Sequence, residues 1–437
     1  MIWSVAAALL ALLALSIPVG VVLFLLGFGV DLFFSPLPLI RGLGQVVWSA
    51  SDSSLLIAIP FFVLLGEILV RAGIAERTYK ALDAWLSWLP GGLIHANIGT
   101  ATMFSATSGS SVATAATVAT VAMPQAERLG YDPRLFSGAI AAGGTLGIMI
   151  PPSINLIVYG FLTETSIPRL FLAGLVPGLL LALSFMVITA AICKLRPALG
   201  GPSLGPSLGG RGRDFAWSER LSGLADLIPI LLLFGVVIGS IYRGWATPTE
   251  AAALGVAMAG LIAAWHRALT RDMLVEALLG TMRITAMIML IIVAAYFLNY
   301  TLASAGLGRE LRGFLGGLGL GPYGTLIAIV LLYIVLGFFV ETLSLMVATI
   351  PIVVPIVAGL GFDKVWFGIL LILLIEMALI TPPVGLNLYV VQGARKGGNL
   401  AEVMLGATPY VLTMMLMALL LILVPGLALW LPESAGG

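Results

Sequence analysis

Long apolar runs separated by short charged clusters dominate this chain. Met1–Val30, Leu170–Cys193, Ile284–Gly308 and Val403–Pro432 contain no Asp, Glu, Lys or Arg. A helix crosses a bilayer with about 20 such residues. The pattern predicts nine full crossings, near 3–27, 46–69, 134–163, 170–194, 223–242, 247–265, 281–303, 365–394 and 403–431. Two further apolar stretches do not fit a single pass. Gly91–Ala126 has small polar residues at its centre, Ser105-Ala106-Thr107-Ser108-Gly109-Ser110-Ser111. Gly313–Phe362 has Glu341-Thr342 at its centre. Each is long enough for two half-spans meeting at a break, which predicts re-entrant helical hairpins at about 91–127 and 313–362. Non-helical backbone at membrane depth is tolerated only where it is buried or lines a cavity, so both breaks are candidate sites.

The pattern also repeats. At a shift of 231 residues Pro124 falls on Pro355, Gly130-Tyr131-Asp132 on Gly361-Phe362-Asp363, Phe136 on Phe367, and Pro151-Pro152 on Pro382-Pro383. Upstream, Ala72-Gly73-Ile74 matches Ala305-Gly306-Leu307 at a shift of 233. Each repeat reads as two helices, a short amphipathic arm (about 73–88 and 306–316), a hairpin, a helix broken at Pro-Pro (134–163 and 365–394) and a final helix. The expected organisation is a first repeat over 1–196, an inter-repeat loop and linker helix over 197–245, and a second repeat over 246–437. The unpaired helix at 223–242 makes the second repeat inverted. Lys and Arg accumulate in cytoplasmic loops, and placing Arg71, Arg77, Lys80, Arg128, Arg134, Arg267, Arg271 and Arg395 inside orients the N-terminus to the cytoplasm and the C-terminus to the periplasm. Inverted repeats with broken helices meeting at mid-membrane are a mark of secondary transporters.

Composition narrows the possibilities further. The 437 residues are 60% hydrophobic and 9% charged, with mean hydropathy +1.13, whereas soluble chains carry roughly 25% charged residues. An all-α polytopic membrane protein surrounded by lipid is the class that fits. The net charge of +1 excludes the basic footprint that nucleic acid requires. One cysteine, Cys193, and two histidines, His95 and His266, exclude an intramolecular disulfide and a Cys- or His-rich metal cluster. The first apolar run lacks the basic start of a cleaved signal peptide and is too long for one.

Candidate chemistry sits at the breaks. Ser105 to Thr114 offers hydroxyls and turned carbonyls suited to an alkali cation. The half-helix that begins there offers N–H groups and a positive dipole suited to a carboxylate. Close packing through small residues explains the same stretch equally well. Ile150-Pro151-Pro152-Ser153-Ile154-Asn155 and Thr381-Pro382-Pro383-Val384-Gly385-Leu386-Asn387 are paired breaks, because proline removes N–H donors and frees upstream carbonyls. Glu67, Glu250, Glu341 and Glu376 are acids in or beside apolar runs, and such residues are functional candidates by default. Glu67 also reads as an i,i+4 partner of Arg71, and Glu250, after Thr247-Pro248-Thr249, as a helix N-terminal acid.

Taken in order, Ala58-Ile59-Pro60-Phe61-Phe62 with Gly66-Glu67, Phe104-Ser105 through Ser108-Gly109-Ser110-Ser111-Val112-Ala113, Gly130-Tyr131-Asp132, Ile150-Pro151-Pro152-Ser153 with Tyr159-Gly160, Leu170-Phe171-Leu172-Ala173-Gly174 with Pro177-Gly178, and Thr381-Pro382-Pro383-Val384-Gly385-Leu386-Asn387 resemble the large membrane subunit (M subunit, DctM-like) of a TRAP (tripartite ATP-independent periplasmic) transporter. The resemblance implies a multi-pass protein of the bacterial inner membrane with an elevator-type fold. It implies sodium-driven import of a small organic acid anion, with a small four-helix membrane subunit and a periplasmic substrate-binding protein as partners. Sodium sites are then expected at Ser108, Gly109, Ser110 and Ser111 with Pro151 and Asn155, and at Glu341 and Thr342 with Thr381, Pro382, Gly385 and Asn387. Substrate contacts are expected at Ser105, Thr114 and Ser153. Glu376 matches no ligand of the family, and the insert at 200–213 looks particular to this chain.

Two rivals remain at this level. One is a stand-alone sodium- or proton-coupled anion symporter of the same architecture. The other is an intramembrane enzyme, against which stands the lack of His-Glu-x-x-His and of a His or Lys base near Ser108–Ser111 in sequence. The orientation is directly testable. Alkaline phosphatase fused after residue 435 should be active, and fused at Arg267 inactive; the reverse result would overturn the predicted topology.

Overall fold

The computed structural model describes residues 2–15, 17–35, 39–201, 215–306, 310, 313, 319–338, 340–395 and 397–435. Among these the chain is all-helical. The helices are α1 (Ile2–Ala14), α2 (Val19–Phe34), α3 (Leu43–Ser51), α4 (Ala58–Arg71), α5 (Ile74–Leu86), α6 (Leu93–Ser108), α7 (Ser111–Leu129), α8 (Pro133–Met149), α9 (Ile154–Thr163) and α10 (Ile167–Leu195). They continue as α11 (Trp217–Tyr242), α12 (Pro248–Trp265), α13 (Arg271–Ser304), α14 (Gly321–Gly337), α15 (Thr342–Gly359), α16 (Lys364–Ala378), α17 (Leu386–Ala394), α18 (Leu400–Leu423) and α19 (Gly426–Ala435). Most of the insert at 200–213 and most of the second amphipathic arm lie outside the described residues.

Six of these helices are long and apolar enough to cross a membrane, or eight if each of two bent pairs is one span. The differences from the nine predicted crossings have local causes. The run 3–27 is interrupted before Pro18, which has no N–H to continue α1 and instead stands at the N-terminus of α2. The run 403–431 is interrupted at Val424-Pro425 for the same reason. The run 46–69 divides at Asp52–Ile57, where Ser51, Asp52, Ser53 and Ser54 have side chains that compete for backbone hydrogen bonds. Proline and short polar residues interrupt helices without lowering hydrophobicity enough to be seen in a window average.

The expected breaks appear as real interruptions. α4 and α5 bend by 67° at Ala72-Gly73, where Gly73 is left-handed with φ 70°. α8 and α9 bend by 41° at Ile150–Ser153. α6 and α7 meet at Gly109 and pack on each other. In the later hairpin, α14 folds back on α15, with the Tyr333 and Thr349 hydroxyls 2.6 Å apart. Boundaries recur as well: α7 and α15 begin 231 residues apart, as do α8 and α16. Asp132 and Asp363 N-cap α8 and α16 in the same manner, each carboxylate accepting two amide N–H groups.

Two packing groups emerge. In one, α2, α3, α4, α12 and α13 pack together. Arg71 pairs with Glu67 at 2.9 Å, as its spacing predicted, and with Glu276 at 2.5 Å, tying α4 to α13. Glu250 closes a capping box with Thr247 at the start of α12, the N-terminal role read from sequence. The arm α5 is held to α11 by Arg77–Asp226 (3.6 Å) and by Trp85 Nε1 donating to Arg220 O (2.9 Å).

The other group joins α6–α10 to α16–α19. Here glycines let backbones touch. A Cβ on Gly138 of α8 would collide with the backbone of Gly406 on α18, and a Cβ on Gly406 with that of Arg134. Gly174 and Gly178 of α10 seat the end of α8, a Cβ on them meeting Met149 O at 2.9 Å and Ile150 Cγ1 at 2.8 Å. Gly406→Val should therefore overpack the α8–α18 contact by about 1–3 kcal/mol or more. A clear fall in the melting temperature in detergent is expected, whereas Gly359→Ala, at a position open on all sides, should leave it unchanged.

Candidate functional site

The first hairpin tip is built by a helix end, one left-handed glycine and a capping serine. α6 stops at Ser108, Gly109 turns with φ 57°, and Ser110 is extended and caps α7 through its hydroxyl, which accepts from Ala113 N at 3.4 Å. The side chains of Ser105 and Ser108 lie outside the described residues. A Cβ on Gly109 would lie 3.1 Å from Ile154 Cγ1, so the tip rests on the start of α9, just past the first helix break. At that break Pro151 and Pro152 are buried, and Ser153 caps α9 by accepting from Leu156 N at 3.4 Å. Asn155 is 4% exposed, and its Nδ2 has no partner.

The tip meets the second half of the chain on its other side. Ser111, 1% exposed, donates its hydroxyl proton to Glu376 Oε2 of α16. Asn387 of α17 is fully buried and donates to Ala141 O of α8 at 3.2 Å. α8 presents two glycines here. A Cβ on Gly144 would sit 3.0 Å from both Asn387 Nδ2 and Ser111 O, and one on Gly147 would sit 2.9 Å from Thr114 Oγ1. Thr114 is fully buried in this contact.

The second tip is capped differently. Glu341 caps α15 with its carboxylate, which accepts from Leu343 N (3.1 Å), Ser344 N (3.0 Å) and the Thr342 hydroxyl (3.0 Å). A resident carboxylate thus occupies the donors at this helix start, where the first hairpin uses only a neutral hydroxyl. Among the described residues, the one acid that reaches the start of α7 is Glu376, through the Ser111 hydroxyl, and it takes none of the cap's amide donors. At the second break Thr381 donates to Met377 O (2.6 Å), Pro382 is exposed, and Gly385 is buried with φ 54°. A Cβ there would meet Leu379 O at 3.1 Å.

The structure groups these residues across the two halves. α17, with Asn387, packs on α7, and α15 packs on α9. Tyr159 and Lys364 lock the same exchange, with Tyr159 Oη donating to Lys364 O (2.7 Å) and Lys364 Nζ to Thr163 O (3.2 Å). Sequence reasoning singled out Glu376 but found no partner for it; Ser111, 265 positions away, carries no local signal of that contact. The close packing at Gly144 and Gly147 likewise carries no local signal in the sequence. A separate cavity of about 400 Å³, lined by residues including Arg134, Arg196 and Leu405, opens at the ends of α8 and α10, away from the breaks.

Comparison with known proteins decides the family. The model of the DctM component of tripartite ATP-independent periplasmic transporters matches residues 6–427. The chain belongs to this family. The permease is 34% identical over 408 residues to the C4-dicarboxylate TRAP transporter large permease protein DctM of Pseudomonas aeruginosa, covering 93% of this chain and 92% of that one. It is 32% identical to the sialic acid TRAP transporter large permease protein SiaM of Vibrio cholerae, covering 89% and 88%. Among solved structures, the Alcanivorax borkumensis YdaH transporter superposes with a TM-score of 0.58 at 17% identity, over 90% of this chain and 89% of that one, a likeness of fold. A large permease of this family is a multi-pass membrane transporter subunit, not an enzyme, which removes the intramembrane-enzyme reading.

The glycine contacts on α8 are testable in the permease. Gly144→Ala should push α7 and Asn387 away from α8 and lower substrate uptake by about tenfold, since roughly 1 kcal/mol or more of overpacking falls on the site itself. Uptake per folded molecule at the wild-type level would show that the contact has no functional role.

Proposed function

We propose that this permease imports an organic acid anion, driven by sodium, across the bacterial inner membrane. Its partners are a small four-helix membrane subunit and a periplasmic binding protein that delivers the substrate. The observation that carries the reading is the hydroxyl-bearing tip Gly109–Thr114, seated against helix breaks from both halves of the chain. The donor chemistry fits sodium: serine and threonine hydroxyls, amide oxygens and break carbonyls are hard oxygen ligands, and the buried oxygens Asn387 Oδ1 and Glu376 Oε1 remain unpartnered. Ser108 to Ser111 with Pro151 and Asn155, and Glu341–Thr342 with Thr381, Pro382, Gly385 and Asn387, are the assigned sodium-binding groups.

The substrate carboxylate is assigned to the positive start of α7, near Ser105, Thr114 and Ser153. The relatives named for a C4-dicarboxylate and for sialic acid both handle carboxylates. Bound sodium supplies positive charge beside that carboxylate, and coupling follows if ion and substrate favour the same state of the hairpin.

The two halves act as inverted repeats. The set α2, α3, α4, α12 and α13 serves as the fixed scaffold, while the hairpins and broken helices form the moving part of an elevator. The N-terminus faces the cytoplasm and the C-terminus the periplasm.

Two measurements test this reading. Uptake in proteoliposomes holding the permease, the small subunit and the cognate binding protein should need an inward sodium gradient; an equal rate in sodium-free buffer would sink the proposal. Asn155→Ala and Ser110→Ala should each lower that uptake by about tenfold, the loss of one ligand or cap of about 1–2 kcal/mol. Undiminished transport in either variant removes that residue from the site.

A further inference from the structure

Glu376 belongs to neither ion-binding group assigned above. It lies near the end of α16 and is 1% exposed. Its Oε2 accepts from Ser111 Oγ, which comes from the other half of the chain. Its Oε1 has no hydrogen-bond partner. Among the described residues no Lys, Arg or His pairs with it.

Asn387 is stitched to the same turn. Its backbone N donates to Leu379 O at 3.1 Å, and Leu379 N donates to Glu376 O at 3.2 Å. Its side-chain Nδ2 is used by Ala141 O, while its Oδ1 has no partner despite complete burial. The space at Gly144, within 3.0 Å of both Asn387 Nδ2 and Ser111 O, brings this amide beside the hairpin tip. Two residues at the junction of α7, α16 and α17 thus each carry a buried oxygen acceptor with no hydrogen-bond partner.

Two acceptors cannot satisfy each other; each needs a hydrogen-bond donor or a cation. An uncompensated carboxylate in an apolar interior is strongly unfavourable, and intramembrane acids pair with something. Carboxylate, amide and hydroxyl oxygens select hard cations. Calcium takes six to eight oxygens, typically including several carboxylates; here Glu376 offers one free carboxylate oxygen, while Glu341, the other acid within electrostatic reach, spends its oxygens on Leu343 N, Ser344 N and the Thr342 hydroxyl. We infer that Glu376 Oε1 and Asn387 Oδ1 are ligands of a monovalent cation held between the first hairpin tip and the second broken helix, with Ser111 orienting the carboxylate. The inference rests on the sodium reading above and adds a charged ligand to it. It also makes the two halves unequal: the position related to Glu376 by the 231-residue shift is Thr145, whose hydroxyl is spent on Ala142 O at 2.6 Å.

The test is thermal stability of purified permease titrated with sodium chloride against choline chloride at constant ionic strength. Glu376→Gln keeps the size of the side chain and its contact with Ser111 but removes the charge. It should raise the sodium concentration for half-maximal stabilisation by about tenfold or more, the effect of losing a charged ligand. Glu376→Ala should raise it as well, and decides the matter if the glutamine variant does not fold. A carboxyl that is always protonated predicts that Glu376→Gln matches wild type. If wild type responds to sodium and both variants respond identically, the inference is overturned while the sodium reading stands. If wild type itself ignores sodium, the sodium reading fails first.

Discussion

In an apolar interior an open backbone N–H or C=O costs several kcal/mol, and this permease opens its helices repeatedly. Each break therefore comes with local substitutes. Ser110, Ser153, Asp132, Glu341 and Asp363 supply side-chain acceptors to helix starts, and Gly109 and Gly385 turn the chain with positive φ. What these caps leave over is the chemistry of the site. The cap of α7 is the neutral Ser110 hydroxyl, whereas a carboxylate, Glu341, caps the equivalent end of α15.

Close packing follows from the same constraint. Breaks must be buried by protein, and burial at backbone distance requires residues without bulk. Gly138 against Gly406, Gly144 and Gly147 against the α7 start, and Gly174 and Gly178 against the α8 end all serve this. The small-residue reading of the hairpin and the ion-site reading are thus compatible. The same glycines that allow tight helix contact bring Ser111, Asn387 and Glu376 to one junction.

Much of the fold was legible because its signals are local. Hydropathy marked the spans, and the Pro-Pro pairs marked the breaks at 150–153 and 379–385. Gly73, Gly130, Asp132 and Asp363 stood out only as repeat features, and the structure gives the reason, left-handed turns at the two glycines and helix caps at the two aspartates. The errors were local too. Pro18, Pro425 and the run Ser51–Ser54 divide helices that hydropathy alone joins. The i,i+4 pair Glu67–Arg71 and the N-terminal role of Glu250 were read correctly because both partners lie within one turn.

The site itself was only half legible. Residue type and spacing were enough to nominate Ser110, Ser111, Asn155, Glu341 and Asn387, because polar groups in an apolar run stand out one by one. Which of them meet is a matter of how helices far apart in sequence cross. Only the tertiary structure joins Ser111 to Glu376, lays Asn387 on α8 beside the first hairpin, and packs α15 on α9. By itself the sequence determined where the helices lie, where they break and what chemistry the breaks expose, since caps, prolines and hydrophobic runs act over a few residues. The pairing of breaks between the two halves was decided in three dimensions, because contacts between residues hundreds of positions apart leave no periodicity to read.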